Sequence, residues 1–97
     1  MKMTKIELLS PAKDANIGMA AVNHGADAVY IGGPSFSARE KATNSIQDIE
    51  RLCRHAVLYD AKVYVTLNTI LFDAELEPAR RLAYDCWNAG VDALIIQ

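Results

Sequence analysis

Gly25-Ala26-Asp27-Ala28-Val29-Tyr30-Ile31 returns in altered form as Asp60-Ala61-Lys62-Val63-Tyr64-Val65-Thr66 and as Gly90-Val91-Asp92-Ala93-Leu94-Ile95-Ile96. Each version follows a helix-like stretch and opens an apolar run, at the spacing of one βα unit. Gly25 and Gly90 stand where a helix C-terminus needs a left-handed residue. Asp60 is a weaker substitute there, because only Gly, Asn and Asp enter that region cheaply. Val29-Tyr30-Ile31, Val63-Tyr64-Val65 and Leu94-Ile95-Ile96 are short, β-branched and almost continuously apolar. Strands covered on both faces have this character, whereas buried helix segments run longer. The rhythm predicts an α/β chain with parallel strands.

Working outward, Ile6-Glu7-Leu8-Leu9 is expected to be a first strand ended by Ser10-Pro11-Ala12, since proline cannot continue a central ladder. A first helix is expected over 14–23, with Ile17, Ala20, Ala21 and His24 at helical spacing. Ser45-Ile46-Gln47-Asp48 has the form of a capped helix start, with Asp48 in the positive first turn. Ile46, Ile49, Leu52, Cys53, Ala56 and Val57 form the apolar stripe of that helix. A third strand over 63–67 leads to a helix capped by Asp73, lined by Leu76, Ala79, Leu82, Ala83 and Cys86, with Trp87 over the end of the sheet. The last apolar run, 94–96, with Gln97 after it, reads as a strand whose edge needs a neighbour. Three βα units plus a strand are less than half of an eight-unit barrel of about 250 residues. The expected fold is therefore a partial TIM-type barrel of parallel strands and helices, and the chain is expected to be a fragment; a small open α/β sheet is the competing fold.

The composition is that of an ordinary globular chain: 97 residues, 52% hydrophobic, formal charge −2. Lysines and arginines are scattered among the acids, so no basic tail announces nucleic acid, and any RNA contact must come from local geometry or from residues beyond these. The first seven residues lack a signal-peptide run and nothing reaches transmembrane length, which predicts a cytoplasmic protein without a membrane partner. Cys53 and Cys86 have no paired Cys or His at metal-finger spacing, so they are expected to be thiols on helix faces, with no metal. His24 and His55 are expected to be structural or solvated. Dinucleotide, P-loop, zinc-protease and nucleophile-elbow patterns are absent.

In parallel α/β folds ligands approach the carboxyl ends of strands, which picks out Ser10, Gly32, Gly33, Arg39, Asn44, Asn68, Thr69 and Gln97. The stretch 32–44 is too long for a simple connection, and long loops at such points are usually functional. Gly32-Gly33 permits close backbone approach, and Arg39 offers a planar fork for a phosphate or carboxylate. Gly32, Gly33, Arg39, Asn68 and Gln97 are the substrate-binding candidates. No acid, base or nucleophile has distinctive spacing, so no catalytic residue is assigned. An inward Glu7 would need a partner, and a structural or exposed role is preferred for it over a site role.

Glu7-Leu8-Leu9-Ser10-Pro11-Ala12, His24 through Pro34, Ala38-Arg39, Val65-Thr66-Leu67-Asn68-Thr69 and Gly90-Val91-Asp92-Ala93 together resemble the collagenase-like peptidase family of unassigned catalytic type. The resemblance covers essentially the whole chain and corresponds to that family's N-terminal portion, an incomplete or modified TIM-type barrel. Gly33-Pro34, Ala38-Arg39, Asn44-Ser45, Asn68-Thr69-Ile70-Leu71 and Glu75-Leu76-Glu77-Pro78-Ala79 are similar to the branch that hydroxylates a cytidine of large-subunit ribosomal RNA. Sister branches are associated with tRNA wobble-uridine hydroxylation, with oxygen-independent ubiquinone hydroxylation and with collagen degradation. The resemblance thus implies an RNA-hydroxylating parent under a protease name, acting on ribosomal RNA or tRNA, with peptidase and scaffold functions as alternatives. It also implies an iron–sulfur cluster in the parent but none in this segment, to which Cys53 and Cys86 do not correspond. Alone, the segment is expected to be inactive and to form a homo-oligomer through its open edge.

Overall fold

A computed structural model describes residues 7–34, 44–67 and 76–96 of the chain. They form β1 (Leu9–Ala12), α1 (Ala15–Asn23), β2 (Ala28–Gly32), α2 (Ile46–Leu58), β3 (Lys62–Leu67), α3 (Leu76–Ala89) and β4 (Ala93–Ile96). The four strands make one parallel sheet in the order β1-β2-β3-β4, with Val29 beside Val63 and Val65 beside Leu94. This sequential order lacks the reversal of a doubly wound sheet and is that of a barrel wall.

The thrice-written phrase has one structural meaning. At the end of α1, Gly25 N–H donates to the Val22 carbonyl and Ala26 N–H to that of Ala21; at α2 the pairs are Asp60 to Val57 and Ala61 to Ala56; at α3, Gly90 to Trp87 and Val91 to Cys86. These are three copies of the same helix-closing turn. The turn residues have φ of +102° at Gly25, +56° at Asp60 and +103° at Gly90. Two residues later the aspartates act on the sheet: Asp27 accepts the Leu8 N–H at 2.8 Å and Asp92 accepts the Val63 N–H at 2.8 Å. Each carboxylate thus supplies an acceptor to the start of the preceding strand. In the middle copy Lys62 takes that place, and its backbone N–H donates to the Asp27 carbonyl at 3.0 Å.

The first strand lies later than its sequence suggests, over Leu9–Ala12, and includes Pro11. The Leu8 carbonyl accepts from Asp27 and Ala28, so alternation turns the backbone of Ser10 and Ala12 toward β2 and that of Pro11 away from it. The missing N–H of Pro11 therefore falls on the outer side of an edge strand. Glu7 lies outside the strand and is exposed, with the Tyr64 hydroxyl 3.4 Å from its carboxylate.

Val29, Ile31, Val63, Val65 and Leu67 meet Ala15 and Val22 of α1, Ile49, Leu52, Cys53 and Ala56 of α2, and Leu82, Cys86 and Ala89 of α3 in one core. The buried face of α1 is Ala15, Gly18 and Val22, whereas Ile17, Ala20 and His24 are exposed. The cause is close packing: a Cβ at Gly18 would lie 2.9 Å from both Leu52 methyl groups, so the helix turns its glycine toward α2. Val57, expected in the stripe of α2, is 74% exposed in the last turn. Trp87 is 71% exposed and does not cover the sheet. Instead it flanks a groove of about 270 Å³ shared with Ala83, Val91, Ala93 and Leu94.

The strands are not covered on both faces by the described residues. Helices bury one side, whereas Leu9, Pro11 and Ile95 are exposed and Tyr30, Tyr64 and Thr66 are half-buried along the other. Side chains alternate across a strand, so the apolar runs hold two different faces.

Candidate functional site at the carboxyl ends of the strands

Because the sheet is parallel, the ends of β1 and β2 lie at the same edge, where Ala12 sits beside Ile31. The chain leaves β1 at Lys13 and β2 at Gly33, and it returns to this edge at Asn44, immediately before Ser45 caps α2. Asn44 is 5% exposed. Its Nδ2 donates to the Gly32 carbonyl at 3.0 Å and to the Lys13 carbonyl at 3.2 Å. One amide therefore ties the exit of β1 to the last residue of β2.

Gly33 extends the ladder beyond β2, donating its N–H to the Thr66 carbonyl at 3.0 Å. A Cβ at Gly33 would lie 2.5 Å from Leu67 Cδ2 and 3.0 Å from Val65 Cγ1. The close approach at this glycine is thus to β3. Gly32 and Gly33 are brought together with Asn44, while Ser10 sits within β1. Arg39, Asn68, Thr69 and Gln97 lie outside the described residues, as does Asp73.

The described part of this edge holds backbone groups and a buried amide bonded to them, which suit positioning rather than proton transfer. Among the described residues no three His, Cys, Asp or Glu side chains gather as a metal site. Cys53 and Cys86 are free and buried between α2 and α3. Burial pushes the Cys53 thiol up to about 12 and the Cys86 thiol up to about 11, with neighbouring acids adding to the shift. An iron–sulfur cluster takes four ligands, and among the described residues these two thiols have no further metal-binding side chains gathered beside them, so the place does not fit a cluster. His55 is held structurally, with Nε2 2.7 Å from Asn23 Oδ1, and His24 is exposed.

Sequence reasoning placed Asn44 among the strand-end residues but did not choose it as a site residue. Its only signal was a polar residue just before a helix cap at the close of a long connection. The roles of Asp27 and Asp92 were missed altogether, although their recurrence in the phrase was the available sign.

The model of peptidase family U32 matches residues 13–97. The chain belongs to that family. It is 61% identical over 93 residues, 96% of the chain, to the 23S rRNA 5-hydroxycytidine C2501 synthase of Escherichia coli (strain K12), of which it spans 14%. It is 34% identical over 93 residues to tRNA hydroxylation protein P1 of Bacillus subtilis (strain 168), covering 95% of the chain and 22% of that protein. It is 27% identical over 100 residues to a collagenase of Porphyromonas gingivalis (strain ATCC BAA-308 / W83), covering 98% of the chain and 23% of that protein. The chain thus spans less than a quarter of each of these relatives. Phosphonopyruvate hydrolase superposes with a TM-score of 0.62 at 19% identity, over 97% of this chain and 37% of that one. This U32 segment accordingly has the α/β fold of a partial TIM-type barrel, with the barrel's strand order.

Proposed function

We propose that this chain is the N-terminal barrel segment of an enzyme that forms 5-hydroxycytidine in large-subunit ribosomal RNA. The observation that carries this reading is the 61% identity to the E. coli synthase, well above the 34% to the tRNA hydroxylation protein and the 27% to the collagenase. In this reading the strand ends form one wall of the substrate site. Gly32 and Gly33 supply backbone, Arg39 contacts an anionic group such as a phosphate, and Asn68 and Gln97 supply polar groups. An iron–sulfur cluster belongs to the parent protein and is held by residues beyond these 97. The parent works in the cytoplasm, where ribosomal RNA is found, and among the described residues no helix is long and apolar enough to cross a membrane. The 97-residue chain alone is inactive and self-associates through its open strand edges.

The test is mass spectrometry of ribosomal RNA and tRNA from a strain lacking the full-length gene, complemented with wild type or Arg39→Ala. Wild type restores a hydroxylated cytidine and Arg39→Ala does so poorly. Unchanged RNA in the deletion strain overturns the reading. The 27% likeness to a collagenase favours peptide cleavage as the second reading. Gelatin hydrolysis by the purified full-length protein, abolished by mutation of the parent, would carry it.

A further inference from the structure

We propose that Asn44 is a positioning residue for the strand-end site, acting through the two backbone carbonyls it holds; the inference rests on the reading that this edge serves RNA hydroxylation. Three observations carry it. Asn44 is 5% exposed, so its amide has little water to bond. Its Nδ2 reaches the Gly32 and Lys13 carbonyls at 3.0 and 3.2 Å, using both of its protons. Those carbonyls belong to the first residue past β1 and the last residue of β2, so one side chain sets the spacing of two neighbouring exits.

The arrangement is more demanding than a helix cap. Ser45 supplies the cap, its hydroxyl accepting the Asp48 N–H at 3.1 Å, and needs nothing from Asn44 for that. Asn44 instead joins the residues at both ends of the connection between β2 and α2, 12 positions apart, and adds the β1 exit 31 positions away. Gly33, next to the tied Gly32, lies close against β3, with no room for a Cβ and its N–H donated to the Thr66 carbonyl. Loosening the amide would let the β1 exit and the β2 end move relative to each other and weaken the hold of the Gly33 N–H on the Thr66 carbonyl. A displacement on the scale of 1 Å in a substrate-positioning wall can cost about a hundredfold in rate.

The neighbouring positions 44 and 45 allow a controlled test in the full-length protein. Asn44→Ala removes the amide, Asn44→Asp keeps its size but removes its donors, and Ser45→Ala removes only the cap. Each is expressed in the deletion strain, the hydroxycytidine fraction is measured at equal soluble protein, and amide exchange at Gly33 is read in the purified proteins relative to that of Val29 within β2, which a general loss of stability would speed equally. Both Asn44 variants are expected to lower the mark about tenfold or more and to speed Gly33 exchange, while Ser45→Ala stays within about twofold of wild type. A retained mark in the Asn44 variants overturns the role, as does an equal loss in Ser45→Ala. Wild type that restores no mark defeats the RNA reading instead. The exchange comparison then decides alone: unchanged exchange at Gly33 overturns the tie, and faster exchange upholds it.

Discussion

Asp60 holds a left-handed conformation at φ +56° in a turn where the two parallel copies use glycine. A side chain is strained there, so Asp60→Gly is expected to raise stability by about 0.5–1 kcal/mol, read from the urea midpoint. Gly33 poses the opposite constraint, because any Cβ meets Leu67, Val65 and the Thr66 carbonyl. Gly33→Ala is expected to cost about 1–3 kcal/mol, and an unchanged midpoint would show that β3 yields easily. The buried thiols set a pH dependence. With Cys53 raised from 9.0 to about 12, the unfolded chain loses its proton first as pH rises. Stability is expected to be flat below about 9 and to fall between 9 and 12, with Cys86 adding to the fall over 9 to 11. Urea midpoints from pH 7 upward should show this decline, and Cys53→Ala should weaken it.

Among the helices, the contact of α1 with α2 is close, because the space that Gly18 leaves is filled by Leu52. Leu52→Ala is expected to cost about 2–5 kcal/mol, the range for a buried leucine that leaves a cavity. A loss below 1 kcal/mol would mean that α1 collapses into the space. The polar pairs across the same two helices, Arg51 with Asn16 and His55 with Asn23, are exposed and are expected to contribute little. This contact also shows why helix existence was legible in the residues and helix facing was not. The caps at Asp14 and Ser45 and the turns at Gly25, Asp60 and Gly90 are local chemistry. Which side of α1 faces inward depends on a leucine 34 positions away, and apolar spacing alone selected Ile17 rather than Gly18.

Among the described residues, the sheet has edges at β1 and β4 without a strand neighbour and one face that no helix covers. Self-association of the 97-residue chain is expected as a dimer or larger species in light scattering; a monomer across the accessible concentrations would remove that proposal. The parallel βα rhythm, the strand positions to within a few residues and the helix-closing turns followed from residue order, because backbone conformation and alternation are local properties. The resemblance read from short contiguous blocks is borne out at the level of the family, whose model matches residues 13–97. Packing was needed to place Pro11 inside an edge strand, to turn Val57 and Trp87 outward and to reveal the aspartates that bind neighbouring strands. It was needed above all for Asn44, whose two partners lie 12 and 31 positions away. A hydrogen bond across such separations exists only after the strands have paired, so no local pattern in the chain could announce it.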